Sequence, residues 1–187
     1  AVQGRLGLGD LHLRGGEALA HRPLGQVARE EGLAGAVLTA HGLEHRAAAG
    51  DGGELRVEGH GDAVEPDGEQ VEARLGPLLE AGLVATCAVV DLEVLYSARN
   101  VSDYEVTLQR RRALEDAPIT PEVTALAVSL QHALARQGQH RLPIPDLLIS
   151  AAAKVAGLTV LHYDADFERL AAAGGAAQEW IVPAGSI

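Results

Sequence analysis

Apolar positions recur at helical spacing from Ile144 onward, with Leu147, Leu148, Ala151, Ala152 and Val155 along one face. Pro145 stands where a first-turn proline is tolerated, and Gly157 follows the last turn as a C-terminal stop. Leu158 to Tyr163 is a short β-rich run, and Asp164 can cap a helix that begins after it. A helix, an apolar strand and a second helix in that order predict a parallel sheet covered on both faces. Ligands of such sheets bind beyond the carboxyl ends of the strands. Asp164 and Asp166 lie at that end, and Asp146 opens the helix that leads into the strand.

Upstream, the pattern predicts two helical pieces, 71–75 and 77–81, meeting at Gly76-Pro77, and then a short strand over 83–86. Thr86 is the expected cap of an apolar helix reaching Arg99. Glu93 stands on that helix with Val89, Val90, Tyr96 and Ser97 as its i±3 and i±4 neighbours, none of which can form an ion pair with it. It needs either solvent or a partner from elsewhere. Asp91 lies two residues earlier and points roughly 200° away. Ser102-Asp-Tyr-Glu105 reads as a capping box, starting a helix that carries Arg110, Arg111 and Arg112 and ends near Glu115. The arginine triplet reads as a solvated helix face or as a set of phosphate contacts. Residues 117–120 are extended, and Thr120 caps a helix that starts at Pro121, continues to Gln137 and stops at Gly138. His140 and Arg141 in the next loop are candidate phosphate contacts, and 179–183 reads as a final edge strand closed by Pro183.

Composition divides the chain. Residues 1–70 hold 15 of the 22 glycines and 5 of the 8 histidines, and contain no Phe, Tyr, Trp, Ile, Met, Ser, Asn, Lys or Cys. A GC-rich reading frame gives that composition as readily as a selected sequence does. Without aromatics or isoleucine there is little to build a core from, so 1–60 is expected to be an atypical, weakly structured segment ahead of a domain over 61–187. His41 and His45 have i, i+4 spacing, but Gly42 between them and the lack of a third fixed ligand argue against a zinc site. The formal net charge of −11 argues against broad electrostatic binding to nucleic acid or anionic membrane. Cys87 is the only cysteine, so an intrachain disulfide is excluded and a cytoplasmic location is expected. No apolar run approaches the ~20 residues that cross a bilayer.

Hard divalent ions are held by carboxylates and water, and two-metal chemistry on a phosphodiester needs several carboxylates at one point. Glu93, Asp146, Asp164 and Asp166 are the acids that can meet at one end of a parallel sheet. As helix caps and first-turn residues, the three aspartates also have an ordinary structural reading.

The wording of three motifs goes further. VVDLEVLYSAR (89–99), IPDLLISAAAKVAGLTVLHYDADFERLA (144–171) and EWIVP (179–183) closely resemble the PIN-domain ribonuclease toxins called VapC, in uninterrupted order over about 70–187. The resemblance implies a three-layer α/β/α fold around a central parallel sheet. It implies RNA cleavage by metal-activated water, with Mg²⁺ or Mn²⁺ held by an acidic quartet, and neutralisation by a cognate VapB-like antitoxin. Glu93, Asp146 and Asp164 match the family's catalytic acids, and Asp166 is a neighbouring acid that supplements or replaces Asp164 as a metal ligand. A homodimer is implied as well, and the apolar positions Leu78, Leu79, Val94 and Leu95 are its expected surface. The family's first strand ends in an Asp-Thr/Ser-Ser/Ala motif that is missing here. Asp62, near the expected distance upstream of Val71 and preceded by LRVEGHG, is the candidate for that first metal ligand. Two readings follow: an active endoribonuclease toxin, or a catalytically inactive PIN-fold protein that acts only by binding antitoxin or itself.

Overall fold

A computed structural model describes residues 37–39 and 68–183. In chain order the elements are β1 (Val37–Thr39), α1 (Gly68–Glu80), β2 (Val84–Thr86), α2 (Ala88–Tyr96), α3 (Val101–Arg111), β3 (Glu115–Asp116), α4 (Pro121–Ala135), α5 (Ile144–Ala156), β4 (Thr159–His162), α6 (Asp166–Ala172) and β5 (Ala177–Trp180). The strands form one sheet in the order β3-β2-β1-β4-β5, and every neighbouring pair is parallel.

Strand alternation divides the core in two. Val84 and Leu161 point to one face and pack with Val71 and Leu75 of α1 and with Ile181 and Val182. Ala85 and Val160 point to the other face, against Val90 and Val94 of α2, Leu130 and Leu134 of α4, Ile149 of α5 and Phe167 of α6. The expected α/β/α layering with a central parallel sheet is therefore the observed one.

The middle strand departs from expectation. It comes from 37–39, inside the segment read as lying ahead of the domain, and not from the stretch preceding Asp62. Three residues in an Ala- and Gly-rich context carry too little periodicity to stand out. Val37 pairs with both Val84 and Thr159, which makes β1 the centre of the sheet. The rest of 1–60, with His12, His21, His41, His45 and His60, lies outside the described residues, as does Asp62.

Several local expectations are corrected by burial. α1 runs unbroken through Gly76 and Pro77, because Pro77 deletes one backbone bond while Val71 and Leu75 bury fully on the same helix. The N-cap of α3 is Asn100, whose Oδ1 accepts from the Asp103 N–H at 3.0 Å, so the Ser102–Glu105 box is not used. Glu115 is in strand β3 and not at a helix end, and β5 begins two residues before the expected Glu179. Gly175 is required at the entry to β5, where a Cβ would stand 2.5 Å from Ser150 Oγ and 2.8 Å from the Leu170 carbonyl oxygen. Thr120 caps α4 and Gly157, at φ 71°, closes α5, both as expected. Val94 and Leu95 are core residues, so they cannot form the expected dimer surface; the outward side of α2 carries Leu92 and Tyr96 instead.

Thr86 ends β2 and does not cap α2, whose N-cap is Cys87. The Thr86 hydroxyl donates to Asp91 Oδ1 at 2.7 Å and accepts from Arg111 Nη2. Arg111 Nε also donates to Asp91 Oδ1 at 2.7 Å, with the arginine side chain only 3% exposed. Burial lowers the Arg111 guanidinium to about 10, which leaves it charged at neutral pH. The arginine triplet thus splits: Arg110 and Arg112 are exposed, while Arg111 ties α3 to α2 and β2.

Cys87 is fully buried, and burial pushes its thiol up from the ordinary value. Thiol reagents at about pH 8 should therefore modify it only as fast as the chain unfolds. Labelling within seconds in native buffer would contradict that burial.

Candidate metal centre

In a parallel sheet every strand delivers its successor loop to the same edge. The 13-residue helix α5 runs back along the sheet for about 20 Å before β4 begins, so its first turn lies at that same carboxyl edge. Asp146 sits in that first turn, after Pro145, where a carboxylate is favoured by the helix dipole. It is completely buried. β4 ends at His162, the chain turns through Asp164, and Asp166 is the first residue of α6.

One carboxylate oxygen from each of Asp146, Asp164 and Asp166 lies within 4.8 Å of the others. Asp164 Oδ1 accepts from the Asp166 N–H at 2.8 Å, which is the capping role expected of Asp164, displaced by one position from the N-cap Ala165. Arg169 Nη1 donates to Asp166 Oδ1 at 2.7 Å from the next turn of α6. Three acids this close, one of them away from solvent, repel one another. An all-oxygen donor set of this kind fits a hard divalent cation and does not fit a thiolate- or imidazole-seeking metal.

The site residues named from sequence divide accordingly. Asp146, Asp164 and Asp166 come together. Glu93 is half-buried on α2, which packs against α5, but it is not among the carboxylates that all meet within 4.8 Å. Asp62 falls outside the described residues. Residues 37–39 place the end of the central strand at Thr39, and the sequence continues Ala40-His41-Gly42 with no carboxylate.

Sequence reasoning passed over the residues that support the turn. His162 is fully buried; its Nδ1 accepts from the Asp164 N–H at 3.1 Å and its Nε2 bonds to Gln178 Oε1 of β5. Burial pushes the imidazole down, against the opposing effects of the Gln178 bond and of the nearby Asp164 and Glu168 carboxylates. Only the Asp166–Arg169 spacing could have signalled such a partner in sequence.

The PIN-domain family model matches residues 63–173. Ribonuclease VapC51 of Mycobacterium tuberculosis (strain ATCC 25618 / H37Rv) is 44% identical over 117 residues, which cover 63% of this chain and 85% of that protein. Ribonuclease VapC21 of Mycobacterium tuberculosis (strain CDC 1551 / Oshkosh) is 44% identical over 118 residues, 62% of this chain and 86% of that protein. Among solved structures, the DNA-bound VapBC from Salmonella typhimurium superposes with a TM-score of 0.57 at 16% identity, covering 79% of this chain and 99% of that one. FitAcB from Neisseria gonorrhoeae gives 0.53 at 19% identity, over 76% and 96% of the two chains. At these identities the solved structures speak to the fold alone.

Proposed function

We propose that this chain, which belongs to the PIN-domain family and to its VapC group, is a metal-dependent endoribonuclease acting as the toxin of a toxin–antitoxin pair. One observation carries the reading: three aspartates converge at the carboxyl edge of the sheet in a chain 44% identical to named ribonucleases. Asp146, Asp164 and Asp166 are the residues that would hold Mg²⁺ or Mn²⁺, with Glu93 and Asp62 as the carboxylates that would complete the set. When bound, such an ion supplies the positive charge that activates water and stabilises a leaving phosphodiester oxygen. The chain's own part is positional. Buried α5 fixes Asp146, the β4–α6 turn presents Asp164, and Arg169 braces Asp166 from behind.

A cognate VapB-like antitoxin and a second copy of the chain are the protein partners this reading implies. Leu92, Tyr96 and Val101, 68%, 92% and 73% exposed on α2 and α3, offer apolar surface for such a partner. Among the described residues no helix is long and apolar enough to cross a membrane. A cytoplasmic site of action fits the cysteine content and an RNA substrate.

The second reading, a PIN-fold protein that binds partners without cleaving RNA, is favoured by the central strand itself, which ends in Val37-Leu38-Thr39 without an acid. Cleavage of a defined RNA in Mn²⁺, suppressed by EDTA, is the expected result for the nuclease. Activity lost in Asp62→Ala would make Asp62 the first ligand; full activity in that variant would exclude it. No cleavage by the wild type under any divalent ion would favour the binding protein.

A further inference from the structure

His162 is the last residue of β4, and its ring is completely shielded from solvent. A buried imidazole is costly unless both nitrogens are satisfied, and here both are. The direction of each bond follows from its partner. A backbone N–H can only donate, so Nδ1, which faces the Asp164 N–H at 3.1 Å, is the acceptor. The proton is therefore on Nε2, which donates to Gln178 Oε1 on the neighbouring strand. The ring also packs against two aromatic side chains: Phe167, with centroids 5.1 Å apart, and Trp180, at 5.0 Å. The His162 carbonyl accepts from the Ile181 N–H at 2.8 Å, joining the end of β4 to the end of β5.

These contacts bracket the turn that carries two of the three clustered acids. His162 holds the backbone of Asp164 directly and packs on Phe167, the residue after Asp166. Asp164 in turn accepts the Asp166 N–H. Building on the assignment of Asp164 and Asp166 to a divalent cation, we propose that His162, locked in one tautomer by Gln178, is the positioning residue of the metal centre. It sets the 164–166 turn so that both carboxylates face Asp146.

The test uses the full chain and Mn²⁺. Trp180 is the only tryptophan and its ring lies 5.0 Å from that of His162, so its fluorescence is a local probe of the end of β4 and the turn after it. His162→Phe keeps an aromatic ring at the position, slightly larger than imidazole, but removes both hydrogen bonds. It should weaken Mn²⁺ binding, followed by Trp180 fluorescence and by thermal shift, by about 10-fold. His162→Asn can still present an oxygen to the Asp164 N–H and should recover part of the loss. Gln178→Leu, on the edge strand, keeps the imidazole and serves if His162→Phe fails to fold; it should weaken binding in the same direction. Wild-type Mn²⁺ affinity in both His162→Phe and Gln178→Leu would overturn the assignment. If the wild-type chain shows no Mn²⁺ response, it is the metal reading that fails, and amide exchange then decides the positioning role. The Asp164 and Asp166 amides should be protected in the wild type and exchange at least about 10-fold faster in His162→Phe or Gln178→Leu. Unchanged exchange would overturn the proposal without reference to any metal.

Discussion

Asp146→Asn should remove Mn²⁺-dependent RNA cleavage and Mn²⁺-dependent stabilisation together, while leaving the metal-free chain as stable as the wild type or slightly more so. The substitution keeps shape and removes one charge from a fully buried position beside two other carboxylates. In the absence of an ion that charge is repelled by its neighbours, so neutralising it costs the fold little. With an ion it is a ligand, and its loss weakens the site. Because the unfolded chain holds no preformed cluster, ligand at 100 times its Kd stabilises the native state by about 2.7 kcal/mol. Thermal melts of wild type and variant across a Mn²⁺ series measure both effects. A wild-type melting temperature that millimolar Mn²⁺ does not move would remove the metal site, whatever the variant does.

The second large effect lies away from the acids. Arg111→Ala should destabilise the chain by about 3 kcal/mol, because it removes one partner of a largely buried ion pair. The loss is not confined to charge: Thr86 and Asp91 both bond to this guanidinium, so β2, α2 and α3 lose a common anchor. A fall of roughly 10 °C in melting temperature is expected for a domain of this size. The double variant Asp91→Asn/Arg111→Met should recover part of that loss, since neither charge then remains buried without the other. An Arg111→Ala chain that melts within a degree of the wild type would mean that the pair is ornamental and that α3 is held by apolar packing alone.

The sequence by itself determined the elements whose signals are local. The apolar face of α5, Gly157 behind it, Thr120 with Pro121 at the start of α4, and the β-rich run of β4 each have a cause within a few residues. From helix–strand–helix order it followed that Asp146 and Asp164 belong to the same edge, because a helix running antiparallel to the strands starts at the carboxyl edge and the strand that follows it ends there. Pairing between distant segments was decided only in the tertiary structure. Val37–Thr39 becomes the central strand through its register with β2 and β4, a long-range match that three residues in an Ala- and Gly-rich context cannot announce. Arg111 looks like the arginines on either side of it until Asp91 and Thr86 close over it. His162 reads as one more residue of a β-run; its role comes from Gln178, sixteen positions away and on another strand. Side chains whose partners lie one turn away leave a spacing in the sequence, and Arg169 with Asp166 is such a case. Those whose partners arrive across a sheet leave none, because hydrogen bonding and burial depend on where the backbone returns, and the whole fold decides that.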